Sequence, residues 1–120
     1  MNLRERLISK GEIKLKPVTI KYSDGSEECA FVKPYTAKEY QDSVAFAKSL
    51  MIKKDGADVV NYSRLRESSA YIISTQLVDE KGSQVLSIDD IMLMDDSAVE
   101  AMVKAIKSLE QKNVEDVAKN

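Results

Sequence analysis

The feature of this sequence that most constrains its fold is the dipeptide Asp24-Gly25, which lies between two runs of strand-forming residues. On its N-terminal side, Val18, Ile20 and Tyr22 alternate with polar residues, as is typical of a β-strand with one face in the core. Asp-Gly favours the tight turn of a hairpin, because both residues tolerate positive φ. The sequence therefore predicts a β-hairpin over about residues 17–33.

A two-residue loop at Asp24-Gly25 sets a definite strand register. Ile20 then faces Cys29 and Val18 faces Phe31 on one side, while charged residues oppose each other on the other side. Because one register satisfies both kinds of pairing, we expect it in the folded chain. Cys29, the only cysteine, is then predicted to be a small buried apolar residue. A nucleophilic role is disfavoured, since the chain has no histidine to activate the thiol.

A helix is predicted after the hairpin, over about residues 37–53. Thr36 and Glu39 have the spacing of a capping box, in which the two residues satisfy each other's backbone N–H groups. Its apolar residues at helical spacing form a stripe that we expect to face the core: Tyr40, Val44, Ala47 and Met51, flanked by Phe46 and Leu50. The run Lys53-Lys54-Asp55-Gly56 is expected to end the helix.

Three further helices are predicted in the second half of the chain, over about residues 62–77, 88–94 and 97–112. Each follows residues that favour a helix N-cap: Asn61 or Ser63 for the first, Ser87 for the second, and Asp96 or Ser97 for the third. The stretch 72–78 is also rich in residues that favour strands, so the end of the first of these helices is left open.

These elements predict an α+β fold in which the N-terminal β-hairpin packs with three to four helices. Hydrophobic residues make up 43% and charged residues 32% of the chain, which is typical of a globular protein. A chain of 120 residues suits a single domain over 1–120. Residues 1–12, with a short predicted helix at about 3–9, and residues 113–120 are the candidates for flexible ends.

The charge of the chain is small but unevenly distributed. The formal net charge is −2, and basic residues prevail in 1–21 whereas acidic residues prevail in 79–100. An acidic protein without a dense basic face is poorly suited to bind nucleic acid. No apolar run approaches the roughly 18–20 residues of a membrane span, and the cytoplasm is the expected location. The charge blocks are interpreted as solvated faces, with head-to-tail self-association or a charged partner as the alternative.

The sequence offers little material for catalysis or metal binding. The chain has no histidine and one cysteine, which disfavours a catalytic triad and a metal site built on these residues. Around Gly56 and Gly82 only one of the three acidic positions at the start of a calcium-binding loop is filled, by Asp55 and Asp79 respectively. Asp89-Asp90 and Asp95-Asp96 are interpreted as acids at helix N-termini. We therefore expect no enzyme activity, no cofactor and no metal.

The order of these features along the chain resembles that of a known protein family. A short charged start (2–8) is followed by a hairpin that ends in Phe31-Val32-Lys33-Pro34-Tyr35, then by Thr36-Ala37-Lys38-Glu39-Tyr40. A later block runs from Val78-Asp79-Glu80-Lys81-Gly82 into the capped acidic segment Ser87-Ile88-Asp89-Asp90. This layout, over nearly the whole chain, is similar to that of the tail assembly chaperones of long-tailed bacteriophages and prophages.

The resemblance implies a function without catalysis. Members of this family bind the tape-measure protein and keep it soluble until tail-tube subunits polymerise around it, so the expected partners are the tape-measure protein, the major tail tube protein and further copies of the chain. The expected location is the host cytoplasm, with absence from the mature virion. The alternatives are a structural tail-completion or connector protein and a bacterial adaptor protein.

Two apolar segments are candidates for the contact with such a client. One lies in the N-terminal segment (Leu3, Leu7 and Ile8), and the other lies in the last helix (Met102, Ile106 and Leu109). Both fit a partner-binding surface, because an amphipathic helix can cover apolar surface on a client. The alternative is that each simply packs into the core of its own chain.

Overall fold

The predicted hairpin forms two of the three strands of the first sheet. In the computed structural model, which describes the backbone of residues 1–119 and the side chains of residues 1–110, β1 (Lys16–Lys21) pairs antiparallel with β2 (Glu27–Val32). A short strand, β5 (Leu77–Val78), adds to the other edge of β2. The predicted flexible end at 113–120 lies outside the residues whose side chains are described.

The hairpin loop contains three residues rather than the predicted two. The Tyr22 N–H donates to the Ser26 carbonyl at 2.9 Å, and Gly25 adopts a positive φ of 88°. The Asp24 carboxylate accepts the Ser26 N–H, and this hydrogen bond holds the loop. A three-residue loop with glycine in the left-handed region is the next most common hairpin connection after the two-residue type.

The longer loop shifts the strand register by one residue. Val18 pairs with Ala30 and Thr19 pairs with Cys29, so the predicted pairing of Val18 with Phe31 is wrong. Because successive side chains point to opposite faces, the shift moves Cys29 and Phe31 away from the core face. Cys29 is exposed, and its predicted burial is also wrong.

The helix after the hairpin is shorter than predicted. Helix α2 (Ala37–Ser49) begins with the predicted capping box of Thr36 and Glu39. A second hairpin follows it, formed by β3 (Met51–Lys54) and β4 (Ala57–Val60). The end of the predicted helix is therefore wrong. Asp55 and Gly56 both have positive φ in the tight loop between these strands, as a two-residue hairpin turn requires.

The helices of the second half begin close to their predicted positions, but the last one continues to Lys119, seven residues past its predicted end at 112. A 3₁₀ turn, Tyr62–Arg64, precedes α3 (Leu65–Gln76), and α4 (Ile88–Met92) and α5 (Asp96–Lys119) follow. Asn61 caps the 3₁₀ turn, and Ser87 caps α4 in a capping box with Asp90, both as predicted. Helix α1 (Leu3–Lys10) is the predicted short N-terminal helix.

The cap of α5 is Asp95 rather than Asp96 or Ser97. Its carboxylate accepts the Ser97 N–H at 2.8 Å and the Ser97 hydroxyl. We expect Asp95→Ala to lower the free energy of unfolding by about 1 kcal/mol, because a backbone N–H of the first turn loses its acceptor. Urea unfolding followed by circular dichroism measures this loss. Ser97→Ala, the control, keeps the backbone acceptor and should cost clearly less; equal losses would contradict this assignment of the cap.

One hydrophobic core joins the inner face of the first hairpin to α3, α4 and α5. Its two largest fully buried side chains are Ile73 of α3 and Ile91 of α4. The bidentate ion pair of Arg66 with Asp96, extended by Glu100, links α3 to α5 at the surface of this core. The shared core and these ion pairs hold α3 against α5.

Candidate functional site

Helix α2 presents its apolar stripe to solvent. Tyr40 is 63% exposed and Val44 is 40% exposed, and none of the residues of α2 is buried. Of the predicted core-facing stripe only the flanking Leu50 is buried, so the prediction is wrong for the four exposed residues Tyr40, Val44, Ala47 and Met51. The reason is that the first hairpin and the helices of the second half complete the core without α2.

An open apolar groove, here called the α2 groove, lies between α2, α3 and α5. Its cavity volume is about 380 Å³. It is lined by Tyr35, Tyr40, Ser43, Val44, Phe46, Ala47, Ser68, Tyr71, Ile72, Gln76, Val103, Ile106, Lys107 and Glu110. Most of these side chains are aliphatic or aromatic, so the groove suits an apolar ligand with few polar groups.

Aromatic side chains make the walls of the groove stiff. Phe46 of α2 stacks on Tyr71 of α3, with ring centroids 4.3 Å apart and an angle of 15° between the rings. The Tyr35 hydroxyl lies 2.7 Å from the Thr75 hydroxyl, which itself donates to a backbone carbonyl of α3. Burial raises the pKa of Tyr35, so this phenol stays neutral. Tyr35 is one of the residues that line the groove. The groove is therefore largely formed before any ligand enters.

Few charged side chains line the groove: among the described residues only Lys107 and Glu110 do, and both are exposed. The Lys33 ammonium lies 3.1 Å from the Glu39 carboxylate beside the start of α2. The Thr36 backbone N–H, and then Lys33, hold the pKa of Glu39 below its usual range. Within the groove, the Ser43 hydroxyl donates to the Tyr40 carbonyl at 2.7 Å, so it does not compete for a ligand. The groove can thus bury apolar groups at little polar cost.

The N-terminal candidate residues lie on an isolated helix. Leu3, Leu7 and Ile8 of α1 are 61%, 62% and 51% exposed, and no residue of α1 is buried. They are available to a partner as the chain is folded. Their role in client binding stays a prediction.

The candidate residues of the last helix lie elsewhere. Met102 and Ile106 are each 2% exposed and belong to the core, and the half-buried Leu109 packs against it. Ile106 also contributes to the floor of the α2 groove. Met102 and Ile106 are therefore both covered by their own chain. The structure does not bring these residues together with those of α1.

The side chains of the groove on α2 and α3 were not predicted as a site. Tyr40 and Val44 have the spacing of a core stripe, and that spacing is the same whether the stripe is covered or open. The only sequence signal was the run of small residues Ser68, Ser69 and Ala70, which predicts close packing on α3. Ala70 is fully buried and Ser68 lines the groove.

Neither a metal-binding cluster nor a membrane-spanning helix is present among the described residues. Among residues 1–110, no three His, Cys, Asp or Glu side chains are placed to hold a metal ion. Over the part of the chain that the structure describes, no helix combines the length and apolar character needed to cross a membrane. Comparison of the chain with models of protein families, with curated proteins and with solved structures finds no match.

Proposed function

We propose that this protein is a non-catalytic chaperone that holds an apolar helical segment of a phage tape-measure protein during tail assembly. The sequence resemblance to tail assembly chaperones suggests the client. The observation that carries the proposal is the uncovered apolar face of α2, with Tyr40 and Val44 exposed beside a groove walled by aromatic rings. An apolar surface rimmed by polar residues is typical of a protein interaction site.

The apolar lining of the α2 groove suits the apolar side chains of a helical segment. A helix-in-groove contact places apolar side chains of the ligand, spaced three to four residues apart, into a hydrophobic channel. Phe46 and Tyr71 provide flat, rigid surfaces that bury apolar area with little loss of side-chain entropy. A long, largely helical client offers many such segments, so several copies of the chaperone can cover it.

A modest affinity at each groove fits the proposed sequence of events. Several weak contacts along one client give stable coverage together, because the sites act at high effective concentration. Tail-tube protein can then displace the copies one at a time. On this proposal the chaperone acts in the host cytoplasm and is absent from the mature virion. A structural tail-completion or connector protein would instead be present in purified particles.

Co-expression with the tape-measure protein encoded nearby tests the proposal. The wild-type chain should increase the soluble fraction of the tape-measure protein and should be recovered in complex with it. Val44→Asp places a carboxylate at the mouth of the groove, where client binding would bury it without a partner. We expect roughly tenfold or greater weakening of the complex in a pull-down titration, equivalent to about 1.4 kcal/mol or more.

Ala45→Asp is the matched control for this experiment. It adds the same charge to the next residue of α2, which is exposed and does not line the groove. We expect Ala45→Asp to bind the client as the wild type does. If both variants weaken the complex equally, or if the wild type neither binds nor solubilises the client, the proposal is wrong.

A further inference from the structure

Helix α1 is an amphipathic helix whose apolar residues are not buried in the core of its own chain. Its apolar residues are exposed, and Arg4, Arg6 and Lys10 make it basic, with Glu5 as its one acid. An isolated helix of eight residues is marginal in water, because nucleation is costly and few turns follow it. A surface that buries Leu3 and Leu7 would stabilise it.

A second cleft of the molecule, here called the acidic cleft, has the complementary character. It lies between β2 and the segment 77–86, and its volume is about 370 Å³. Its apolar walls include Tyr22, Phe31, Val85 and Met94. Three carboxylates, of Glu28, Asp79 and Glu80, also line it, and no lysine or arginine is among the described residues that line it.

The charges of the two surfaces form no salt bridge among the described side chains, although Lys81 is near enough to Asp79 to help lower its pKa. Among the side chains of residues 1–110, the ion pairs include none of the basic residues of α1 and none of the three carboxylates of the acidic cleft. The N–H groups of Ser83 and Lys81 hold the pKa of Asp79 below its usual range, so this carboxylate remains ionised. Complementary charge of this kind steers association and fixes its register.

We propose that α1 of one copy docks in the acidic cleft of a second copy. Leu3 and Leu7 would cover the apolar walls, while Arg4, Arg6 and Lys10 would lie against the carboxylates. Leu15, which follows α1 in the chain, lies beside Gly82 in the turn that also carries Asp79. Leu3 and Leu7 of the same chain nevertheless remain exposed and do not fill the cleft. When one contact forms, the first copy still has a free cleft and the second copy still has a free α1. The association is therefore head-to-tail.

Sedimentation velocity of the full chain over a range of concentrations tests this inference. The wild type should show mass above the monomer that increases with concentration and decreases at about 1 M salt, where the Debye length falls to about 3 Å. Leu7→Asp on α1 and Val85→Lys in the acidic cleft should each weaken association roughly ten- to hundredfold, because each removes apolar burial and opposes the charge of the partner surface.

Two control variants match these changes. Ser9→Asp adds the same charge on the opposite side of α1 from Leu7. Val60→Lys replaces a valine of β4 that is 47% exposed, against 49% for Val85, and that does not line the acidic cleft. Both controls should lose clearly less association than Leu7→Asp and Val85→Lys. Far-UV circular dichroism of each variant checks that it is folded.

Mixing the two disabled variants gives the decisive measurement. Leu7→Asp retains an intact cleft and Val85→Lys retains an intact α1, so an equal mixture should form a heterodimer that grows no further. A wild type that is monomeric throughout overturns the inference, as does a mixture without heterodimer. A monomeric wild type whose Tm falls in both variants would mean that α1 docks in its own chain, which also overturns it. The inference does not depend on the α2 groove: a monomeric chain that solubilises the tape-measure protein would refute only the self-association.

Discussion

Replacing Ile73 with alanine is expected to lower the free energy of unfolding by about 2–5 kcal/mol. Ile73 is fully buried and lies on the face of α3 that meets the rest of the core. Its removal loses the transfer free energy of the side chain and leaves a cavity that rigid neighbours fill only in part. Against a total stability of about 5–15 kcal/mol for a natural domain, such a loss is large enough to leave much of the protein unfolded at moderate temperature.

Equilibrium urea unfolding measures this change through the shift of the midpoint at constant slope. Ile52→Ala is the chemically matched control, because Ile52 lies in the second hairpin and is 47% exposed. We expect it to cost less than about 1 kcal/mol. Equal losses for the two substitutions would contradict the placement of the core around α3.

The elements that the sequence predicts well are those specified by local chemistry. The capping box of Thr36 and Glu39 forms as expected, and so does that of Ser87 and Asp90. In each, a side chain satisfies a backbone N–H only a few residues away, so the interaction needs no distant partner. The same locality explains why the α+β class, the first hairpin and the starts of the helices follow from the pattern, whereas β3 and β4 do not.

The second hairpin shows where the pattern is ambiguous. Met51 continues the helical stripe of α2, and the periodicity alone therefore favours a longer helix. Asp55-Gly56 is nevertheless the same dipeptide that predicts the first hairpin, and here it forms the tight two-residue loop. Strands of four residues are too short for alternation to outweigh a helical stripe. The turn residues were the better signal.

The candidate site depends on packing that sequence spacing does not contain. Tyr40 and Val44 have the spacing expected of a core-facing stripe, but the stripe stays open because the core is complete without α2. The α2 groove combines residues from 35 to 110, so only the tertiary fold brings them together. In contrast, the exposure of α1 agrees with its charged sequence and its short length.

The strand register of the first hairpin gives the second large expected effect. Thr19 and Cys29 are direct partners. Tyr22 and Ser26 share a hydrogen bond at the loop, and because such pairs alternate along the ladder, Thr19 and Cys29 form a non-hydrogen-bonded pair. The Cα atoms of such a pair lie about 4.5 Å apart, within the range that a disulfide spans.

Thr19→Cys should therefore form an intrachain disulfide with Cys29 on mild oxidation. Closing a loop of about ten residues should raise the free energy of unfolding by about 2–3 kcal/mol relative to the reduced form of the same variant. The loss of both free thiols in dilute monomeric protein measures bond formation. Urea unfolding with and without reductant measures its effect on stability.

Ile20→Cys decides between the two registers. In the two-residue loop that Asp24-Gly25 favours, position 20 would face Cys29. In the structure it faces Glu28 and points into the core, on the opposite side of the sheet from Cys29. A folded Ile20→Cys variant should keep both thiols free. If it forms the disulfide and Thr19→Cys does not, both faces of β2 are inverted, which would also remove Phe31 from the acidic cleft and with it the basis for docking α1 there.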